Sequence, residues 1–159
     1  MAALEQEIGR LLRQRGMTLG VVESATGGLL SQLITDVAGS SDYFKGSIVA
    51  YSDGIKINVA GVKAANIGKY GAVSPQVAEE MAGGGRRALG VDICLADSGI
   101  AGPGGATADK PVGLFYIGLA HRSGALSRRY VFQGDRQRNR YQAAEAALAW
   151  LAEHLVSLD

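Results

Sequence analysis

The apolar run Leu19-Gly-Val-Val22 passes through the turn Glu23-Ser-Ala-Thr-Gly-Gly28 into an amphipathic run, Leu29-Leu-Ser-Gln-Leu-Ile34. A change from strand-like to helical periodicity across so short a glycine-bearing turn commits the chain to strand, tight turn and helix. The pattern recurs. Gly46-Ser-Ile-Val-Ala-Tyr51 reads as a second strand, followed by a short helix holding Ile55, Lys56, Ile57 and Val59, with Asp53 as its N-cap. Val91-Asp-Ile-Cys-Leu-Ala96 reads as a third strand.

Helices fill the spaces between. Ala3 to Arg15 forms an amphipathic first helix, and the helix after the first strand is expected from about Gly27 to Val37. Ser74-Pro75 supplies a cap and an N1 proline for another helix, which Gly83-Gly-Gly85 weakens internally unless the glycines serve close packing. Gly113 to Ala120 and Leu126 to Phe132 pair as a hairpin around Arg122-Ser-Gly124, and a last helix runs from about Arg136 to Leu158. Strands alternating with helices, then a late hairpin, predict an α/β fold: a single three-layer α/β/α domain over 1–159 with a mixed, mostly parallel sheet.

Composition narrows the function classes. A net charge of +1 gives no electrostatic case for nucleic acid, and no stretch approaches the ~20 apolar residues of a membrane span. Cys94 is the single cysteine, so no intramolecular disulfide forms and a cytoplasmic location is expected; Cys94 itself reads as a core residue. The N-terminus carries both charge signs and does not read as a signal peptide. Arginines cluster at Arg128, Arg129, Arg136, Arg138 and Arg140, read first as a solvated face and second as a local anion site. Apolar residues on the outer helices leave room for a homo-oligomer.

Ligands of open α/β sheets bind beyond the carboxyl ends of the strands. Three such ends lead into polar segments: Glu23 to Gly28, Tyr51 to Lys56, and Asp97-Ser-Gly-Ile-Ala-Gly-Pro-Gly-Gly105. If these strands are neighbours, Ser24, Tyr51, Lys56 and the glycine loop meet in one crevice. Ser24 is then a nucleophile, although Ser24 or Thr26 reads equally well as a helix cap. His121 and His154 fall elsewhere, so a serine–histidine–aspartate triad lacks its base and a zinc site lacks its ligands. A lysine of depressed pKa, with or without a tyrosine relay, can serve a hydroxyl instead. Lys56 and Tyr51 are the candidates. Glu23 either orients the site, binds a cationic group or anchors the loop.

The N–H groups at Ala25, Thr26, Gly27 and Gly28 are candidates for an oxyanion hole. The loop holding Ser98, Gly99, Gly102, Gly104 and Gly105 has backbone N–H groups to offer an anion. It is neither a dinucleotide fingerprint, since no helix follows, nor a Walker A loop, since no Gly-Lys-Ser/Thr closes it.

Six ordered segments carry a family resemblance: Glu23 to Gly28, Val49-Ala-Tyr-Ser52 with Lys56, Gly71-Ala-Val-Ser-Pro75, Ser98 to Gly105, Lys110-Pro-Val-Gly113 and Gly134-Asp-Arg136. Together they resemble the CinA carboxy-terminal domain family, over nearly the whole chain. Enzymatic members of that family hydrolyse nicotinamide mononucleotide to nicotinate mononucleotide and ammonia in bacterial pyridine-nucleotide salvage. The resemblance implies catalytic roles for Ser24, Tyr51 and Lys56, a nucleotide pocket lined by the Gly99 loop, and the stand-alone form of the domain. Ala25 stands where many relatives carry cysteine and Ser98 where threonine is common; neither swap removes a catalytic group. A small-molecule nucleotide is the expected partner, with no metal or organic cofactor. The alternative is a nucleotide-binding or regulatory module of the same fold that does not turn over its ligand.

Overall fold

A computed structural model describes residues 2–158. Its elements run α1 (Ala2–Arg15), β1 (Leu19–Glu23), α2 (Leu29–Thr35), a 3-10 turn (Ser40–Asp42), β2 (Phe44–Val49), α3 (Asp53–Asn58), α4 (Ala64–Tyr70), α5 (Pro75–Leu89), β3 (Ile93–Gly99), β4 (Leu114–His121), β5 (Gly124–Val131) and α6 (Arg136–Val156). The sheet order is β2-β1-β3-β4-β5. β1 pairs parallel with both β2 and β3, whereas β3–β4 and β4–β5 are antiparallel. The sheet is mixed as expected. Four strands point one way and β4 alone is reversed, although the strand pairs divide evenly between the two types.

Side chains alternate across a strand, and both faces of this sheet are covered. Leu19 and Val21 of β1, with Ile93 and Leu95 of β3, enter one core with Leu12 of α1, Leu30 of α2 and Leu148 of α6. Val22 of β1, with Cys94 and Ala96 of β3, enters the opposite core with Val77 and Met81 of α5. This gives three layers, helix on sheet on helix. The same alternation sends Glu23 and Asp97 to the α2/α6 face and Ser98 to the α5 face.

Glycines allow α5 to lie close. A Cβ on Gly85 would stand 2.2 Å from Val22 Cγ2 and 2.9 Å from Cys94 Sγ, and one on Gly84 would meet the Ala60 carbonyl oxygen at 1.7 Å. The helical cost of these glycines is therefore tied to close approach, against the sheet at Gly85 and against the segment after α3 at Gly84. Cys94 lies in this contact, and burial pushes its thiol up to about 12, which suits a core residue.

Two local expectations need correction, and one element had no expectation. The N-cap of α3 is Ser52, whose hydroxyl accepts from the Ile55 N–H at 3.2 Å; Asp53 is the first helical residue. β3 continues past Ala96 through Asp97 and Ser98 to Gly99, because these residues pair with Ile117, Tyr116 and Phe115 of β4. α4 was not anticipated. It buries no side chain and is held by Glu80, which accepts from the Lys63 N–H (3.0 Å) and from Asn66 Nδ2 (2.5 Å). A helix fixed from outside shows little apolar periodicity of its own.

Candidate active site

The β1–α2 turn is built around two buried carboxyl groups. Glu23, the last residue of β1, folds its side chain back onto the start of α2. Its Oε1 accepts from the N–H groups of Gly28 (3.2 Å) and Leu30 (2.8 Å), and its Oε2 from Ser31 N–H (3.2 Å) and Ser31 Oγ (2.5 Å). These donors are otherwise orphaned at a helix start, so Glu23 is the anchor of the loop. Asp97 stands beside it on β3. Its Oδ1 accepts from Thr26 N–H (3.0 Å), its Oδ2 from Ser24 N–H (3.3 Å), and its Oδ2 also contacts Thr26 Oγ1. On the outer side Arg140 of α6 donates to the carbonyl oxygens of Ala25 (2.9 Å) and Thr26 (2.8 Å). Held from three sides, the turn presents Ser24 in one orientation.

Lys56 meets it from α3. Its Nζ lies 2.9 Å from Ser24 Oγ, 2.9 Å from the Ala50 carbonyl oxygen and 3.0 Å from that of Tyr51. The side chain is 2% exposed. Burial pushes its pKa below the ordinary lysine value, while the charges of Asp53 and Asp97 pull it back up. A neutral amine has two N–H donors and one lone pair. As an ammonium Lys56 donates to all three oxygens; once neutral, it can keep the two carbonyls as acceptors and turn its lone pair to the Ser24 hydroxyl, an arrangement open to a base.

Ser24, Tyr51 and Lys56 line one cavity of about 210 Å³, with Ala25 beside them, Ser98 and Gly99 from β3, Ala72 and Val73 from the α4–α5 loop, and Arg136 from α6. The sequence matches the CinA C-terminal domain over residues 1–155. The chain belongs to that family.

Relatives agree with the assignment. A Halothermothrix orenii protein named for competence-damage inducibility is 49% identical over 154 residues, covering 96% of this chain and 37% of its own length. A CinA-like protein of Geobacter sulfurreducens is 45% identical, covering 97% of this chain and 37% of its own. The chain thus spans little more than a third of the length of these curated relatives. Among solved structures, a CinA superfamily protein from Klebsiella pneumoniae 700603 superposes with a TM-score of 0.94 at 33% identity, covering 98% of both chains. The competence/damage inducible protein CihA of Agrobacterium tumefaciens gives 0.91 at 33%, covering 94% of this chain and 92% of its own.

Within this CinA domain several expected residues have other tasks. Thr26, Gly27 and Gly28 do not line the cavity, and their N–H groups are taken by Asp97, the Ser24 carbonyl and Glu23. Among the described residues only the Ala25 N–H of this set has no acceptor, which reduces the expected oxyanion hole on this turn to one donor. The Ser98 hydroxyl donates to the Ala72 carbonyl (2.6 Å) and so holds the α4–α5 loop over the cavity. Gly102 is buried and accepts from Arg136 Nη1 through its carbonyl (2.8 Å), whereas Gly104 and Gly105 are exposed and outside the cavity lining. Tyr51 is 65% exposed, and no hydrogen bond joins its phenol to Ser24 or Lys56; its carbonyl is what reaches the lysine.

The arginine cluster separates. Arg128 lies over the Trp150 ring and pairs with Glu153 on the surface, while Arg136 reaches the cavity rim and Arg140 the turn. His121 and His154 stack on each other, centroids 4.9 Å apart, and neither lines the cavity. Three further residues were not anticipated as parts of the site: Asp97, Arg140 and Asn139. Fully buried Asn139 accepts from Gly134 N–H (2.8 Å) and donates to the Ala101 carbonyl (3.0 Å), fixing the loop after β3 to α6. A charged residue directly after the apolar run Ile93 to Ala96 was the available signal for Asp97. No His, Cys, Asp or Glu cluster suited to a metal ion occurs among the described residues, and no described helix is long and apolar enough to cross a membrane.

Proposed function

We propose that the domain is a serine amidase that hydrolyses the carboxamide of nicotinamide mononucleotide to a carboxylate and ammonia. The observation that carries this reading is the 2.9 Å contact between a buried Lys56 amine and the Ser24 hydroxyl at the wall of an open cavity. A module that only bound a nucleotide would have no use for a desolvated lysine directed at a hydroxyl. The choice of substrate rests on the family resemblance and on Arg136, a cation at the rim available for a phosphate.

Neutral Lys56 takes the Ser24 proton as Oγ attacks the carboxamide carbon. The negative charge then developing on the carbonyl oxygen meets the Ala25 N–H, the donor that follows the nucleophile in the chain. The C–N bond breaks, and the proton held by Lys56 leaves with ammonia. A water, deprotonated by the same amine, attacks the ester, and the carboxylate departs as Ser24 recovers its proton. Tyr51, at the cavity wall, is the second group able to pass a proton once substrate fills the space.

Ammonia release measured with nicotinamide mononucleotide, nicotinamide riboside and nicotinamide tests the reading. Turnover of the mononucleotide well above the other two is expected. Equal turnover of all three would remove the nucleotide from the proposal, and no turnover of any would favour the binding module.

A further inference from the structure

Thr26, Glu23 and Asp97 are each fully buried, and the Thr26 hydroxyl stands between the two carboxyl groups. Its Oγ1 is 2.7 Å from Glu23 Oε1 and within hydrogen-bond distance of Asp97 Oδ2. A hydroxyl has one proton to give, so it cannot donate to both. One of the two contacts is a hydrogen bond only if a carboxyl supplies the proton. Glu23 is the worse placed of the two, since Asp97 accepts from two backbone N–H groups, those of Ser24 and Thr26, and Glu23 from three. Three backbone N–H groups, from Gly28, Leu30 and Ser31, point at its two oxygens, and such groups can only donate.

We propose that Asp97 in its acid form donates a proton to Thr26, which donates in turn to Glu23, so that this buried pair bears one negative charge until Asp97 ionises and two thereafter. The proposal rests on the amidase reading of the site and names a positioning residue for it. Asp97 does not line the cavity; it acts on the turn and on Lys56. Burial holds its carboxyl up, at about 6, with hydrogen bonds to Thr26 and Ser24 opposing the rise and the Glu23 charge adding to it. When Asp97 ionises, a second charge appears below Ser24 and stabilises the ammonium form of Lys56, the form that cannot act as a base. The charged groups bearing on this balance are Glu23 from β1, Lys56 and Asp53 from α3, and Arg140 and Arg136 from α6.

Carboxyl-carbon NMR of the whole protein, with Asp97 and Glu23 assigned by through-bond correlation, reads the proton directly and needs no variant. The expected result is an Asp97 midpoint near 6. An Asp97 midpoint below about 4.5, in the ordinary carboxylate range, would overturn the assignment. The kinetic arm uses Asp97→Asn, whose amide can repeat the donor to Thr26 and the acceptor for the Thr26 N–H. The acidic limb of its kcat/KM profile is expected to move to lower pH by roughly half a unit to one unit. An unmoved limb would overturn the coupling to Lys56. Absence of all turnover in the unaltered protein would count against the amidase reading and leave the NMR result standing.

Discussion

Ser24 and Lys56, thirty-two positions apart, meet with 2.9 Å between hydroxyl and amine because parallel neighbours β1 and β2 deliver both chain segments to the same edge of the sheet. The Ala50 N–H donates to the Glu23 carbonyl at 2.7 Å and carries the pairing one step beyond β2. The segment that turns into α3 therefore begins opposite the residue before Ser24. The contact is a product of strand register.

Lys56 should set the acidic limb of activity. Its folded-state pKa is lowered by burial, and in the proposed mechanism the reactive form is the neutral amine. Activity therefore rises with pH through that lowered pKa, below the ordinary 10.5. Lys56→Arg keeps the charge and cannot deprotonate, and a loss of at least about 10²-fold in kcat is expected. A variant retaining most of its activity would make the lysine an electrostatic group.

Arg136 is the expected recognition point for phosphate. Arg136→Ala should lower kcat/KM for nicotinamide mononucleotide by roughly 10–100-fold, the weight of a lost charge-assisted hydrogen bond. Turnover of nicotinamide riboside, which has no phosphate, should hardly change. Equal losses on both would mean that the variant disturbs the Gly102 loop, whose carbonyl Arg136 also holds at 2.8 Å.

Asp97 should leave a mark on stability. Its carboxyl is raised from 3.8 to about 6 in the folded protein, so the folded state binds the proton more tightly than the unfolded chain. That contribution is complete below about pH 4 and is lost as pH rises through about 6. The loss is roughly 3 kcal/mol, from two pKa units at ~1.4 kcal/mol each. Denaturant titrations of the unaltered protein and of Asp97→Asn across this window should show the slope in the first and its absence in the second. A matching slope in both would place the titration elsewhere.

Periodicity was enough for the sheet and its long helices, since Leu19, Val21 and Val22, or Ile93 to Ala96, divide cleanly between two cores. The Ser24–Lys56 pairing followed from placing polar strand ends side by side. What stayed hidden was decided by partners distant in the chain. Asp97 looked like the first loop residue because strand membership depends on pairing with Ile117 of β4. Arg140 looked like surface charge because its acceptors, the carbonyls of Ala25 and Thr26, are backbone atoms that any residue would carry. Glu23 had three readings, and the hydrogen bonds from Gly28, Leu30 and Ser31 favour the loop anchor. The Thr26, Gly27 and Gly28 N–H groups resembled oxyanion donors until the turn's own acceptors were in place.

The most direct test of the account is ammonia release from nicotinamide mononucleotide by Ser24→Ala beside the unaltered protein, with circular dichroism to establish that both are folded. The variant removes the proposed nucleophile and leaves the Asp97 and Glu23 anchors of the turn in place. Turnover should fall by at least about 10³-fold with an unchanged spectrum. A folded Ser24→Ala variant that releases ammonia at the rate of the unaltered protein would contradict it.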